Sequence, residues 1–221
     1  TLTSADLLIY LNLLTIFIIH IFFDENFNTI LPNNFLLTFI ALSFLVFLSA
    51  IDDIKPIDPK IRLIFQLICV YFSTTSIPIY EIDLPLKISI FLCLCVWVYI
   101  MNITNFTDGS DGFLGVNSFF LYVNLILINN ILNLNLFSTE LAIFLLPSII
   151  IFLYFNKPKA KLYMGDSGSI LIGFVNGYIF LELFTTGLII LAMTVLIYPL
   201  LDCSLGLARK ALEGKMPWVD T

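Results

Sequence analysis

Eight stretches of predominantly apolar residues follow one another along the chain, at about 5–23, 35–51, 62–79, 84–103, 113–132, 137–155, 169–185 and 187–208. A helix rises about 1.5 Å per residue, so roughly 17 to 25 apolar residues cross a hydrocarbon core about 30 Å thick, a length every stretch reaches. Polar connectors of turn chemistry separate them: Asp24 to Asn34, Asp52 to Lys60, Asn105 to Gly112, Asn133 to Asn135 and Asn156 to Gly168. The stretches are continuously apolar rather than alternating, so the backbone must satisfy itself within helices and not between the strands of a barrel. The expected fold is all-α: a polytopic transmembrane helical bundle of about eight spans, with residues 1–221 as one integral membrane domain.

Composition agrees. Of 221 residues 60% are hydrophobic and 12% charged, which excludes an ordinary soluble domain, and 15% aromatic residues exclude disorder. Ten Lys and Arg against sixteen Asp and Glu, with no basic run, leave nothing to neutralise a phosphate backbone, so nucleic acid is not an expected partner. Cys69, Cys93, Cys95 and Cys203 all fall in apolar stretches, where thiols behave as small buried hydrophobes. The chain opens at Thr1 without a signal-peptide pattern and reads as an internal piece of something longer.

If the spans alternate in direction, the connectors at 52–61, 104–112, 156–168 and 209–221 share one side. Nine of the ten basic residues lie there (Lys55, Lys60, Arg62, Lys157, Lys159, Lys161, Arg209, Lys210 and Lys215), and Lys87 lies near the other side. The positive-inside rule makes the first side cytoplasmic. Asp52, Asp53, Asp108, Asp111, Asp166 and Asp202 then all stand at cytoplasmic helix ends, whereas Asp24, Glu25, Glu81, Asp83 and Glu140 lie outside and Glu182 near the far end of its span. Acids gathered at one level of a bilayer have a cation or a proton to handle, because uncompensated charge there is expensive.

Each cluster has a bland reading beside a chemical one. Asp52 and Asp53, with Lys55, Lys60 and Arg62, could be a solvated loop with weak ion pairs; as adjacent carboxylates they could equally bind a cation or raise one another's pKa, as suits a proton acceptor. Lys60 and Arg62 suit a phosphate. In Asn102–Phe113, Asn102 and Asn105 match the glycosylation acceptor but face the wrong compartment. Asp108 and Asp111 stand three apart beside Gly109 and Gly112, ahead of a helix expected to start near Phe113, whose amide end would face a bound phosphate. Gly165-Asp-Ser-Gly168 shares its letters with the serine-protease nucleophile region, but that chemistry needs a histidine base, and His20 sits in the first span toward the opposite face. Asp166 instead opens a new helix, with Ser167 or Ser169 as its cap. Lys157, Lys159 and Lys161 serve as positive-inside anchors, and Asp202 caps its helix or pairs with Arg209 or Lys210.

Four segments, AIDDIKPIDPKIRLIFQ, NITNFTDGSDGF, NKPKAKLYMGDSGSILIGF and PLLDCSLGLARKALEGK, in this order on one face, resemble the polyprenyl-phosphate N-acetylhexosamine-1-phosphate transferases. That family includes the phospho-N-acetylmuramoyl-pentapeptide transferase and the initiating transferases of O-antigen and teichoic-acid synthesis. The resemblance runs from about residue 40 to the end. It implies a bacterial cytoplasmic-membrane enzyme, active on its cytoplasmic face, that moves a sugar 1-phosphate from a UDP-sugar to polyprenyl phosphate with Mg²⁺, releasing UMP and initiating a cell-surface polysaccharide. By the same resemblance Asp166 is the Mg²⁺ ligand, with Asp108 at the metal region. Asp52 and Asp53 bind or deprotonate the lipid phosphate, and Asn105, Asp108 and Asp111 contact the nucleotide and metal region. Asn156 and Tyr163 meet the uridine, Tyr163 by stacking, and Arg62, with Lys60 as alternate, meets phosphate. A homodimer is left open.

The chain also departs from the family. A downstream histidine-rich segment is not present up to Thr221, and Ile51 stands where the pentapeptide transferase carries a third aspartate, which favours an initiating transferase over the cell-wall enzyme. A second reading from another class is a transporter or Mg²⁺ permease with a cytoplasmic carboxylate cluster. Transporters, however, hold substrate near the bilayer midplane on broken helices.

Overall fold

The computed structural model describes residues 9–15, 34–109, 111–195, 197, 200–201 and 212. Eight helical elements run through them in chain order: α1 (9–15), α2 (Phe35–Ile54), α3 (Pro59–Ser73), α4 (Leu86–Thr107), α5 (Phe113–Leu132), α6 (Phe137–Asn156), α7 (Gly165–Thr185) and α8 (189–195). No strand occurs among the described residues, and α2, α4, α5, α6 and α7 are each long and apolar enough to cross a membrane. The chain is an all-α, polytopic membrane bundle. Most of the first expected span and part of the last, with His20, Asp24, Glu25, Asp202, Cys203, Arg209, Lys210 and Lys215, lie outside the described residues.

The third span differs from its expected 62–79. Asp58 accepts a hydrogen bond from the Lys60 amide at 2.8 Å and Pro59 supplies the preset first-turn φ, so α3 starts three residues early. It stops at Ser73 because a run of hydroxyls turns back on the backbone: Ser73, Thr74, Thr75 and Ser76 donate to the carbonyls of Cys69, Tyr71, Phe72 and Ser73. Short 3-10 turns at Thr74–Ser76 and Ile79–Glu81 complete the crossing.

Helix α7 is the axle of the bundle. Within its apolar window 94% of residues are buried, against 28% for α5, which faces outward. It runs antiparallel to α4, and small residues permit the approach. A Cβ on Gly173 would stand 2.8 Å from the Met101 Cα, and one on Gly177 would overlap the Trp97 ring. Trp97, fully buried, donates its indole N–H to the Phe174 carbonyl at 2.9 Å and packs on the rings of Phe174 and Tyr178. Each step of four along α4, from Trp97 to Met101 to Asn105, is matched by a step of four back along α7, from Gly177 to Gly173 to Ser169.

The two ends of the bundle differ in chemistry. One carries the α2–α3, α4–α5 and α6–α7 connectors. At the other, Thr38 of α2 donates to Ser76 at 2.9 Å, and Glu182 of α7 accepts the Phe137 and Ser138 amides at 3.0 and 2.8 Å. Glu182, expected near the far end of its span, thus caps the first turn of α6. A cavity also lies toward this end, walled by Phe35, Leu42, Phe137 and Tyr178, away from the carboxylates. Gly187, at φ 81°, ends α7: its N–H bonds Phe184 and that of Leu188 bonds Leu183, freeing the chain to reverse into α8.

Candidate functional site

Three helix ends bring carboxylates together. Asp52 and Asp53 occupy the last turn of α2, Asp108 directly follows α4, and Asp166 is in the first turn of α7. The α4–α7 register carries Asn105 to Ser169, whose hydroxyl donates to the Asn105 Oδ1 at 2.9 Å, and so sets Asp108 beside Asp166 and Asp53.

The adjacent aspartates have different surroundings. The Asp52 side chain is 8% exposed and both its oxygens are taken: Oδ1 accepts the Ile57 amide and Oδ2 pairs with Arg62 Nη1 at 2.8 Å. Asp53 is exposed and reaches across to α7, accepting the Asp166 amide and the Ser167 hydroxyl at 3.2 Å each. Neither Ser167 nor Ser169 therefore caps α7, contrary to expectation: α7 has no cap from its own Met164, and Asp53 receives an N–H that helix geometry leaves unpaired. The reason is tertiary, since a charged acceptor on α2 outcompetes a hydroxyl of the helix itself.

Arg62, in the first turns of α3, joins the clusters. Its Nη1 also donates to Asp166 Oδ2 at 3.1 Å. Lys60 is exposed, with its side chain outside these contacts. Asp108 is half-buried; burial first, then the charges of Asp166 and Asp53, push its carboxyl up to about 7 against the opposing pull of a Gly165 hydrogen bond.

Asp111 and Asn156 belong to a neighbouring assembly. Asp111 Oδ2 accepts the Lys159 and Ala160 amides at 3.1 Å each, with Lys159 in the left-handed region at φ 68°. Asn156, 3% exposed, accepts the Gly112 amide on Oδ1 at 2.8 Å and donates through Nδ2 to the Leu162 carbonyl at 2.7 Å. Together they lash the α4–α5 connector to the loop that leads to Tyr163, an exposed ring, and then to Asp166. The structure thus brings Asp52, Asp53, Asp108, Asp166, Asn105 and Arg62 to one site and turns Asp111 and Asn156 to holding the adjoining loop. The start of α5 at Phe113 is as expected, although the Gly112 amide just before it is taken by Asn156, with Gly112 at φ 77° accommodating the turn.

Ser167, Ser169 and the Gln66–Asn102 pair were not legible as partners of this site. Asn102 donates to the buried Gln66 at 2.9 Å, tying α4 to α3 just inside the carboxylates, so its apparent glycosylation triplet is interior. Mid-helix Gln and Asn in apolar spans are the one available signal, since unpaired amides in a bilayer are costly.

The donor set is all oxygen, as a hard divalent cation prefers. Asp108 and Asp166, which repel one another across the site and are only half-buried, have the chemistry to hold such an ion. Among the described residues no three His, Cys, Asp or Glu side chains already close round one point; Arg62 lies among them instead.

The profile described as "Glycosyl transferase family 4" matches residues 35–184, which carry all of these groups. A protein of Prochlorococcus marinus (strain NATL2A) named phospho-N-acetylmuramoyl-pentapeptide-transferase is 34% identical over 177 residues, covering 69% of this chain and 45% of that protein. Proteins of the same name from Leuconostoc citreum (strain KM20) and Staphylococcus saprophyticus are 37% and 27% identical, over 51% and 77% of this chain and 35% and 59% of their own lengths. The chain thus spans between 35% and 59% of the length of these relatives. With two-thirds of the sequence inside the profile and the carboxylate-bearing helix ends within its bounds, the chain belongs to glycosyl transferase family 4.

Proposed function

We propose that this chain carries the catalytic core of a transferase that moves a sugar 1-phosphate from a UDP-sugar to a polyprenyl phosphate, on the cytoplasmic face of a bacterial membrane. The observation that carries the reading is the meeting of Asp53, Asp108 and Asp166, from three helices far apart in sequence, at the end of the bundle that bears Lys55, Lys60, Arg62, Lys157, Lys159 and Lys161. One substrate is soluble and the other has its phosphate at the headgroup level, so a polar site at a bundle end meets both.

In the reaction an oxygen of the lipid phosphate attacks the β-phosphorus of the UDP-sugar. The bond from that phosphorus to the bridging oxygen breaks, UMP leaves, and polyprenyl-diphospho-sugar remains. A deprotonated lipid phosphate is needed for attack. Asp53 receives that proton: it is exposed and its two bonds are long, 3.2 Å each, whereas Asp52 is enclosed, holds the Arg62 guanidinium at 2.8 Å and serves to fix it. Asp108 and Asp166 would hold Mg²⁺, which supplies charge neutralisation on the donor diphosphate when bound. Asn105 positions α7 through Ser169, and Tyr163 offers an exposed ring for the uracil. Asp111 and Asn156 act through the loop they hold.

The name of the relatives points to a muramoyl-pentapeptide donor, and Ile51 to a simpler N-acetylhexosamine donor. Full-length protein with polyprenyl phosphate and Mg²⁺, offered labelled UDP-N-acetylglucosamine and UDP-N-acetylmuramoyl-pentapeptide in parallel, should release UMP from one of them. Asp166→Asn should abolish the release. Retention of full turnover in Asp166→Asn would overturn the assignment.

A further inference from the structure

Arg62 makes two bonds with one nitrogen, and the two are unequal. The arm to Asp52 is short, 2.8 Å, onto a carboxylate whose side chain is 8% exposed and whose other oxygen is held by the Ile57 amide. The arm to Asp166 is longer, 3.1 Å, onto a carboxylate whose side chain is 40% exposed. An exposed ion pair contributes little and is easily exchanged, whereas a buried, hydrogen-bonded one is costly to break. Among the described residues Nη2 and Nε of Arg62 have no hydrogen-bond partner.

From this asymmetry we propose that Arg62 is an exchangeable counter-cation: it competes with a divalent cation for Asp166, and when displaced it stays on Asp52 and turns its free N–H groups to a substrate phosphate. The proposal rests on the function proposed above and adds an order of events to it. A cation gripping Asp166 meets the guanidinium charge at hydrogen-bond distance, so the two cannot both sit on that carboxylate without strong repulsion. Release of one acceptor leaves Nη1 wholly to Asp52, which anchors the side chain as a pivot. The planar edge of Nη2 and Nε then matches two phosphate oxygens, a geometry a lysine cannot reproduce. Cation binding thereby makes the phosphate-binding group available.

The test is the cation affinity of the full-length protein without substrates, read by Mn²⁺ titration with electron paramagnetic resonance. Arg62→Gln should bind Mn²⁺ on the order of tenfold tighter than the wild type, since a competing unit charge is removed from the site. Arg62→Lys, which keeps the charge, should keep wild-type affinity while raising the KM for the UDP-sugar. Equal or weaker binding in Arg62→Gln would overturn the proposal, as would wild-type binding that Asp166→Asn leaves unchanged. The wild type provides a second readout should Arg62→Gln not fold: Mg²⁺ should shift the ¹⁵N side-chain resonance of Arg62, and in Asp166→Asn it should not. A shift that persists in Asp166→Asn would refute the exchange. Tighter binding in Arg62→Gln without any UMP release by the wild type would retain the competition and remove the transfer reaction; turnover with unchanged cation affinity would do the reverse.

Discussion

Truncating Asn156 to alanine isolates what the loop clamp contributes. The amide is buried and holds the Gly112 N–H at 2.8 Å and the Leu162 C=O at 2.7 Å, so the alanine leaves one donor and one acceptor stranded. Each stranded group costs about 1–3 kcal/mol, and partial entry of water places the pair at about 2–4 kcal/mol; for a chain of this size that lowers Tm by roughly 5–15 °C. Asp111→Ala touches the same loop but removes bonds at an exposed carboxylate, where water replaces the lost acceptor, so it should cost less than about 1 kcal/mol. The ordering is the sharper test. Tryptophan-monitored thermal unfolding in detergent measures both variants, and limited trypsin digestion at Lys159 and Lys161 reports the loop directly. Because Tyr163 follows Leu162, freeing that carbonyl should raise the KM for the UDP-sugar more than it lowers kcat and leave the KM for the lipid unchanged. Equal destabilisation by the two variants, or a raised lipid KM, would refute the clamp.

Three further outcomes follow from the geometry. Asp108, raised to about 7, is protonated in the folded protein where an unfolded chain has already lost the proton; its contribution to stability is fully present below the ordinary carboxylate range and is lost as pH rises toward 7. Mg²⁺ needs the carboxylate, so the stabilisation by Mg²⁺ that EDTA removes should be larger at about pH 8 than at about pH 5.5, and Asp108→Asn should erase the difference. Gly177→Ala forces the buried Trp97 indole to move and should cost about 1–3 kcal/mol by overpacking, with activity falling as Asn105 and Ser169 lose register; unchanged melting would show that α4 and α7 can part freely. Tyr163→Ala should raise the KM for the UDP-sugar about tenfold if stacking contributes about 1–3 kcal/mol, and Tyr163→Phe should leave it unchanged.

The spans, the all-α class and the gathering of acids at one end were legible because they depend on one-dimensional quantities: run length, continuity of apolar residues and the parity of crossings. A topology laid out without reference to the aspartates placed Asp53, Asp108 and Asp166 at one level, and their cross-helix contacts are at that level. The shortened α3 was less legible, because Ser73 to Ser76 read as tolerable residues in an apolar run until their hydroxyls turn back on the helix. Partners were the least legible. Asp108 and Asp111 share a segment and a spacing, yet one faces Asp166 and the other holds the Lys159 and Ala160 amides. Nothing in a short Asp-Gly stretch states which way each carboxylate turns, since that depends on the loop arriving from the next hairpin.

What turns a shared level into a shared site is the α4–α7 register, and that register is written in residues with no chemistry of their own. Gly173 and Gly177 look like ordinary members of a buried span, but a Cβ at either would collide with α4. A slip by one residue would rotate α4 by about 100° against its neighbour and carry Asn105 off Ser169. The indole of Trp97, seated on Gly177 and bonded to the Phe174 carbonyl, resists that slip from the middle of α4. The proposed phosphoryl transfer, which depends on placing charged groups to within fractions of an ångström, would draw its accuracy from an apolar contact deep in the bundle. The functional constraint on this chain extends well below its carboxylates, to two glycines and a tryptophan that touch no substrate.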